Sequence, residues 1–223
     1  MIIALTIILV LILCLLFIDW SALFRRLPRK SKKAEPFVFP ADEESPSEEE
    51  ELVAAPNHHV NSEVEELLNK ADVHFRKGEM KAAEELYVQA AAKDPRCSKA
   101  YSRLGVIYLE NGESYEDAEE AFRQALKTEP NNGFILNNLG LVLYHQDKYA
   151  DAIRQFEQAV RQDELNAARH ANLGMAYIAM RQYAKAESSF KKALKLAPNE
   201  MEYKDLLTEA IEKKKAHNTM VRH

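Results

Sequence analysis

The sequence predicts an all-α protein: a solenoid of helical hairpins closed by a C-terminal capping helix and preceded by one N-terminal transmembrane helix. Three observations predict it. A unit of about 34 residues recurs four times between Ser62 and Pro198. Within each copy apolar residues fall three and four apart, the period of an amphipathic helix rather than the alternation of a strand. And Met1 to Ile18 is apolar throughout but for Thr6 and Cys14. With six glycines in 223 residues, and little β-branched alternation, no competing strand pattern stands out.

Taken in order, the apolar run comes first. At a rise of about 1.5 Å per residue it spans about 27 Å, and the residues up to Phe24 lengthen it to the ~30 Å of a hydrocarbon core. Trp20 stands where an interfacial anchor belongs. No basic stretch precedes the run and no small-x-small cleavage site follows it, so residues 1–24 are expected to remain as a membrane anchor, Met1–Phe24, rather than leave as a signal peptide. Arg25, Arg26, Arg29, Lys30, Lys32 and Lys33 follow at once. The positive-inside rule then puts the N-terminus outside a cell membrane and the rest of the chain in the cytoplasm. The flank Arg25–Lys33 is also a candidate contact for anionic lipid. The remainder of residues 25–61 holds four prolines (Pro36, Pro40, Pro46, Pro56) and seven acids between Asp42 and Glu51. Such a composition buries too little apolar surface to offset chain entropy, so an acidic, disordered linker is expected.

Structure restarts at Ser62, which with Glu65 reads as a capping box. The expected repeats fill residues 62–198, at about 64–97, 98–132, 133–166 and 167–200, and residues 199–223 form a capping helix and tail. The clearest copy is Tyr101–Pro130, with Leu104-Gly105, Tyr108, Ala118, Phe122, Ala125 and Pro130 in series. Asn111-Gly112 breaks it into two helices and Pro130 closes it. Gly105, Ala118 and Ala125 are expected where the two helices approach closely. The first copy is poorer, with Lys70-Ala71 for Leu-Gly; Leu67, Phe75, Gly78, Ala83, Tyr87, Ala90 and Pro95 fill its other places. The third has Leu139-Gly140, Tyr149, Ala152, Phe156 and Ala159, but Glu164 in place of the closing proline. The fourth has His170, Leu173-Gly174, Tyr177, Tyr183, Ala186, Phe190, Ala193 and Pro198. The second copy carries one extra residue near Ser114. From Met201 to about Lys215 a final helix sets Tyr203, Leu207, Ala210 and Ile211 on one side and Glu202, Asp205, Glu209, Glu212 and Lys213 on the other, which suits a cap; the tail from Ala216 is expected to fray.

This order of large residue, Leu-Gly, Tyr, Ala, Phe, Ala and Pro resembles the tetratricopeptide repeat (TPR) family, over residues 62–198. The resemblance implies a coiled superhelix of hairpins that binds proteins, the first helix of each hairpin lining an inner, concave face. Carried onto this chain, the family's binding places fall on Asn69, Arg103, Asn138 and Asn172 as one ladder. Val106, Leu109, Phe134, Leu141, Tyr144, Met175 and Ile178 are then inner-face neighbours. Amide side chains donate to and accept from the backbone of an extended peptide, which suits peptide capture. The carboxylate clamp of some TPR cochaperones is lost, because Leu68, Asp72 and Phe134 occupy three of its places.

Other function classes find little support. No phosphate loop, nucleophile elbow, H-E-x-x-H or paired C-x-x-C appears, so no enzyme, no catalytic residue, no cofactor and no metal site is expected. A net charge of −5 argues against nucleic acid as a partner. Two distant cysteines, Cys14 and Cys97, indicate no structural disulfide. The expected function is a membrane-anchored scaffold or adaptor that binds partner proteins or peptides on the cytoplasmic side. The alternatives are an extracytoplasmic component of envelope assembly or secretion, and a receptor resembling organelle import receptors.

Overall fold

Each copy of the repeat folds as two helices joined by a short turn. The computed structural model describes residues 62–112 and 114–221. Among these residues the helices are α1 (Ser62–Arg76), α2 (Met80–Lys93), α3 (Ser98–Asn111), α4 (Tyr115–Thr128), α5 (Gly133–His145), α6 (Tyr149–Gln162), α7 (Ala167–Ala179), α8 (Tyr183–Leu196) and α9 (Met201–Val221). They pair as hairpins α1–α2, α3–α4, α5–α6 and α7–α8. The second helix of each hairpin packs on the first helix of the next, α8 packs on α9, and α3, α5, α7 and α9 touch in sequence. The helices α5, α7 and α9 begin at Gly133, Ala167 and Met201, and α4, α6 and α8 at Tyr115, Tyr149 and Tyr183, so one register carries through the stack. The extra residue of the second copy falls before α4.

What fixes the hairpin is a phenyl ring lying on a glycine. A Cβ placed on Gly105, Gly140 or Gly174 would sit 2.7, 2.5 or 2.7 Å from Cε1 of Phe122, Phe156 or Phe190, respectively. All three rings are fully buried, and Ala118, Ala125, Ala152, Ala159, Ala186 and Ala193 are buried beside them. Small residues let the two backbones close and the ring fills the space between them, which is why these positions tolerate so little change in volume. The first hairpin departs from the rule, with Ala71 in the glycine's place and Tyr87 in the phenylalanine's, both buried. The core forms two clusters, one around Leu68, Tyr87 and Leu104 and one from Val106 to Ala210, with Phe75, Tyr101 and Tyr108 packed against both.

The turns inside the hairpins share a conformation but not a residue type. Gly78 and Gly112 take left-handed φ values of 76° and 66°, and the same place is held by Asp147 (62°) and Arg181 (57°) in the later copies. Asparagine side chains cap α5 and α7: Asn132 Oδ1 accepts from the N–H groups of Phe134 and Ile135, and Asn166 Oδ1 from that of Arg169. The turn that lacks its proline, at Glu164, is held otherwise. His170 Nε2 lies 3.0 Å from the Glu164 carbonyl oxygen, and Asp163 Oδ1 accepts from the Leu165 N–H.

The final helix departs from expectation in two ways. It does not fray after Lys215 but runs to Val221. Lys213 pairs with Glu209 and Lys214 with Glu187 of α8 before that point, and beyond it the His217 ring meets Tyr183 at 5.7 Å. It also buries Leu206 with Tyr203 and Ala210, whereas Leu207 and Ile211 are only half-buried. No helix among the described residues is long and apolar enough to cross a membrane. The expected anchor, its basic flank and the acidic linker lie outside the described residues.

The ring-on-glycine contact yields a prediction. Gly140→Leu is expected to lower the thermal midpoint of the chain, at an overpacking cost of about 1–3 kcal/mol. Leu165→Ala, at a position 78 % exposed, should leave the midpoint in place. Circular dichroism melting of the two variants checks both.

Candidate functional site

The register places one side of each first helix on a common face, and its chemistry changes along the stack. At the α1–α3 end it is polar and already paired. Asp72 accepts a hydrogen bond from the Tyr87 hydroxyl at 2.6 Å, pairs with Lys99 at 2.8 Å, and has the Arg103 Nε 4.0 Å away. Burial would raise this carboxyl, but the hydrogen bonds from Lys99 and Tyr87 outweigh it and hold it below the ordinary range. Burial, then the bond to Asp72, pushes the Tyr87 hydroxyl well up. Arg103 also lies over the Phe75 ring at 5.4 Å. Asp72, whose charge argued against the carboxylate clamp in sequence, is thus the acceptor that ties α1, α2 and α3 together.

Further along, the face turns apolar. Leu141 and Met175 are buried, Tyr144 nearly so, and Phe134 and Ile178 are half-buried; Val106 and Leu109 of α3 are buried. Their side chains lie on successive first helices, α3, α5 and α7. The four ladder positions are engaged differently along the stack. Asn69 is exposed on α1 and Arg103 is engaged at Asp72 and Phe75. Asn138 Nδ2 donates back to the Phe134 carbonyl oxygen at 3.0 Å. Asn172 Nδ2 donates 3.1 Å to Oδ1 of Asn137, not to Asn138. Asn137 therefore escaped the sequence reading, although it sits one residue from a ladder position; only the packing of α5 on α7 decides which of the two neighbours meets Asn172. Asn172 is 1 % exposed and its Oδ1 has no hydrogen-bond partner.

At the α9 end the rows of the first helices carry acids, and α9 as a whole balances four acids with four lysines. Shifted by one repeat, Ala168, Met175 and Ile178 of α7 become Glu202, Glu209 and Glu212. Burial, then Glu200 and Asp205, raises the Glu202 carboxyl. This wall is held to the stack by Glu187 of α8, which takes Lys191 at 2.6 Å and Lys214 of α9 at 2.9 Å. The bond from Lys191, then that from Lys214, lowers its pKa from 4.5 to about 2. Among the described residues no group of three or more histidines, cysteines or acids is placed to hold a metal ion.

Hairpins locked by Gly–Phe pairs, stacked in register and presenting one face of first helices, define a helical-repeat protein, a class whose general use is protein interaction. The chain belongs to the tetratricopeptide repeat family, which matches over residues 68–132 and again over 133–199. It is 29% identical over 128 residues to the photosystem I assembly protein Ycf3 of Rippkaea orientalis, covering 48% of this chain and 74% of that protein. Among solved structures it is similar to the MamA protein, with a TM-score of 0.65 and 20% identity over 72% of this chain and 87% of that one. It is also similar to YrrB, described as a TPR protein with an unusual peptide-binding site, with a TM-score of 0.63 and 23% identity over 70% and 80%.

The α8–α9 bridge predicts a pH dependence. A carboxyl whose pKa is depressed on folding stabilises the fold above its ordinary value and ceases to do so as pH falls through the folded value. Glu187→Gln is therefore expected to melt below wild type at neutral pH, with the gap closing as pH falls from 4.5 to about 2. A gap that persists through that window would assign the loss to packing instead.

Proposed function

We propose that this chain is a membrane-anchored TPR scaffold that binds a partner protein or peptide along the face of its first helices, chiefly between the third and fourth hairpins. One observation carries the reading. The inner register is self-paired at Asp72, Lys99 and Arg103 but apolar at Phe134, Tyr144 and Ile178. A partner gains most by covering apolar area that is not already engaged within the stack. The fold carries a peptide-binding site in YrrB, and the relative from Rippkaea orientalis is an assembly protein; both fit a binding role. The residues proposed to meet the ligand are Asn69, Arg103, Phe134, Asn138, Leu141, Tyr144, Asn172, Met175 and Ile178, those of α5 and α7 contributing most.

The four-repeat count and the division at residues 62–198 belong to the same reading. So does the membrane. Met1–Phe24 as anchor and Arg25–Lys33 as cytoplasmic flank would place the groove at a cytoplasmic membrane surface. Reversal of that topology, toward envelope assembly or secretion, is the second reading.

A photo-crosslinking amino acid at Phe134 or Ile178 of the full-length chain, activated in cells, tests both parts. The expected product is a discrete protein adduct that stays with alkaline-washed membranes and survives protease added to intact cells. The same probe at Lys192, on an exposed part of α8, should give none. Adducts only from Lys192 would move the binding surface to the second helices, and digestion in intact cells would reverse the topology.

A further inference from the structure

We propose that the outer side of α8 holds the acidic residues 48–51 of the same chain, with Leu52 and Val53 seated at the end of that helix. The surface belongs to a second helix, so the inference stands apart from the reading of the first-helix face. It begins with the register of the second helices. Ala186, Ser189, Phe190 and Ala193 of α8 are buried. On the opposite side Ser188, Lys191, Lys192 and Lys195 form an exposed row. The same places hold Arg154, Glu157, Gln158 and Arg161 on α6, Glu120, Arg123, Gln124 and Lys127 on α4, and Glu85, Val88, Gln89 and Ala92 on α2. Each of those three rows contains a glutamate; the α8 row contains none.

On α4 and α6 the row is satisfied within the molecule. Glu120 accepts from Gln124 at 2.6 Å, Gln124 from Lys127 at 2.7 Å, and Glu157 from the Tyr177 hydroxyl at 2.6 Å. On α8 the sole acid is Glu187, which lies to one side and is shared between Lys191 and Lys214. Lys185 lies over the Tyr177 ring at 5.2 Å. Lys192 and Lys195 are left exposed and, among the described residues, in no ion pair. Of the acids in the adjoining turns, Asp163 faces Arg169 at 3.5 Å and Glu200 stands beyond the end of α8. A second feature closes the row: Leu196 and Met201 flank the α8–α9 turn, 36 % and 63 % exposed. A surface that is cationic and then apolar complements a segment that is acidic and then apolar. The chain contains such a segment, where Glu48, Glu49, Glu50 and Glu51 run directly into Leu52 and Val53. Its place and length fit. First helices begin on the edge where second helices end, so the chain that enters at Ser62 does so on the Leu196 side of the stack. Three to four helix steps of about 8–10 Å put the end of α8 about 25–40 Å away. Leu52 precedes Ser62 by ten residues and Glu48 by 14, extended spans of about 33 and 46 Å. Leu52 and Val53 therefore meet Leu196 first, and the glutamates run back along Lys195, Lys192 and Lys191. Four extended residues cover about 10 Å, and Lys191 to Lys195 rise about 6 Å, so acids and lysines overlap. One exposed ion pair is weak, but a tether that holds the segment at about millimolar effective concentration lets several of them suffice.

Cleavage of the full-length chain in detergent by a glutamate-specific protease, followed at residues 48–51 by mass spectrometry, tests this. At about 0.1 M salt Lys192→Gln with Lys195→Gln is expected to speed that cleavage about threefold or more, and the difference should vanish at about 1 M, where the screening length falls to about 3 Å. Arg154→Gln with Arg161→Gln, which removes two cations from the same row on α6, should leave the rate unchanged. Leu196→Ser should speed cleavage at both salt concentrations. Zero-length carbodiimide crosslinking of the unaltered chain should join residues 48–51 to Lys192 or Lys195 within one chain, a product that contains no second protein. A cleavage rate indifferent to the α8 lysines, an equal response to the α6 change, or crosslinks from residues 48–51 that reach residues 25–33 and never α8 overturns the proposal. Links to α8 found only between chains, with protection that rises with protein concentration, overturn it in favour of a second copy of the chain.

Discussion

A phenyl ring pressed onto a glycine backbone is the constraint on which the rest of this structure depends. In three hairpins the ring of Phe122, Phe156 or Phe190 occupies the volume that a side chain on Gly105, Gly140 or Gly174 would need. The contact sets how closely two helices approach and how they are rotated about their axes. That rotation in turn decides which side of the first helix faces its own partner, which faces the preceding hairpin, and which remains for other uses. Because the same contact recurs at the same register, the third side accumulates into one face over α3, α5, α7 and α9. Function in such a molecule is therefore a property of periodic placement: no single residue creates the face, and each repeat supplies one row of it.

The rows are not equivalent, and the differences give the face a direction. In the first hairpin Ala71 replaces the glycine and Tyr87 the phenylalanine, and the tyrosine hydroxyl reaches Asp72. Asp72 then draws Lys99 and Arg103 across from α3, so the polar groups at that end serve cohesion between hairpins. Breaking so well-satisfied a cluster to admit a ligand would leave charged groups unpaired, which is costly. At α5 and α7 the same rows carry apolar side chains, for which coverage is favourable. At α9 they carry carboxylates. A repeat stack thus acquires a graded inner face without any change of backbone plan.

Much of this was legible in the sequence, and the reasons differ by feature. Helix type, hairpin pairing and the role of Gly140 and Gly174 followed from spacing, because volume and period are local properties of the chain. The extent of α9 did not follow. Its last turns set His217 against Tyr183, a residue of another helix that no pattern in Ala216–Val221 discloses. Leu206 was passed over for Leu207 because both fit the helical period with Tyr203 and Ala210, and only the rotation of α9 on α8 decides which of the two is buried. The partners of Asp72 and the pairing of Asn172 with Asn137 were hidden for the same reason. They depend on rotation between hairpins, and at 34 residues' separation the sequence records only that two residues share a face. Asp147 and Arg181 in left-handed turns show the limit from the other side: glycine marks the turn at Gly78 and Gly112, yet the conformation persists where the marker is gone.

If the glycine contacts carry the stack and each hairpin gains stability only from its neighbours, local stability must be graded along it. Native-state hydrogen exchange on the full-length chain measures this directly. The slowest amides are expected in α5 and α7 around Leu139–Leu143 and Leu173–Tyr177, where helices pack on both sides, with α3 next. The fastest are expected in α1, which has no preceding hairpin among the described residues, and in α9 beyond His217. Uniform protection from α1 to α9, or slower exchange in α1 than in α5 and α7, would contradict the account.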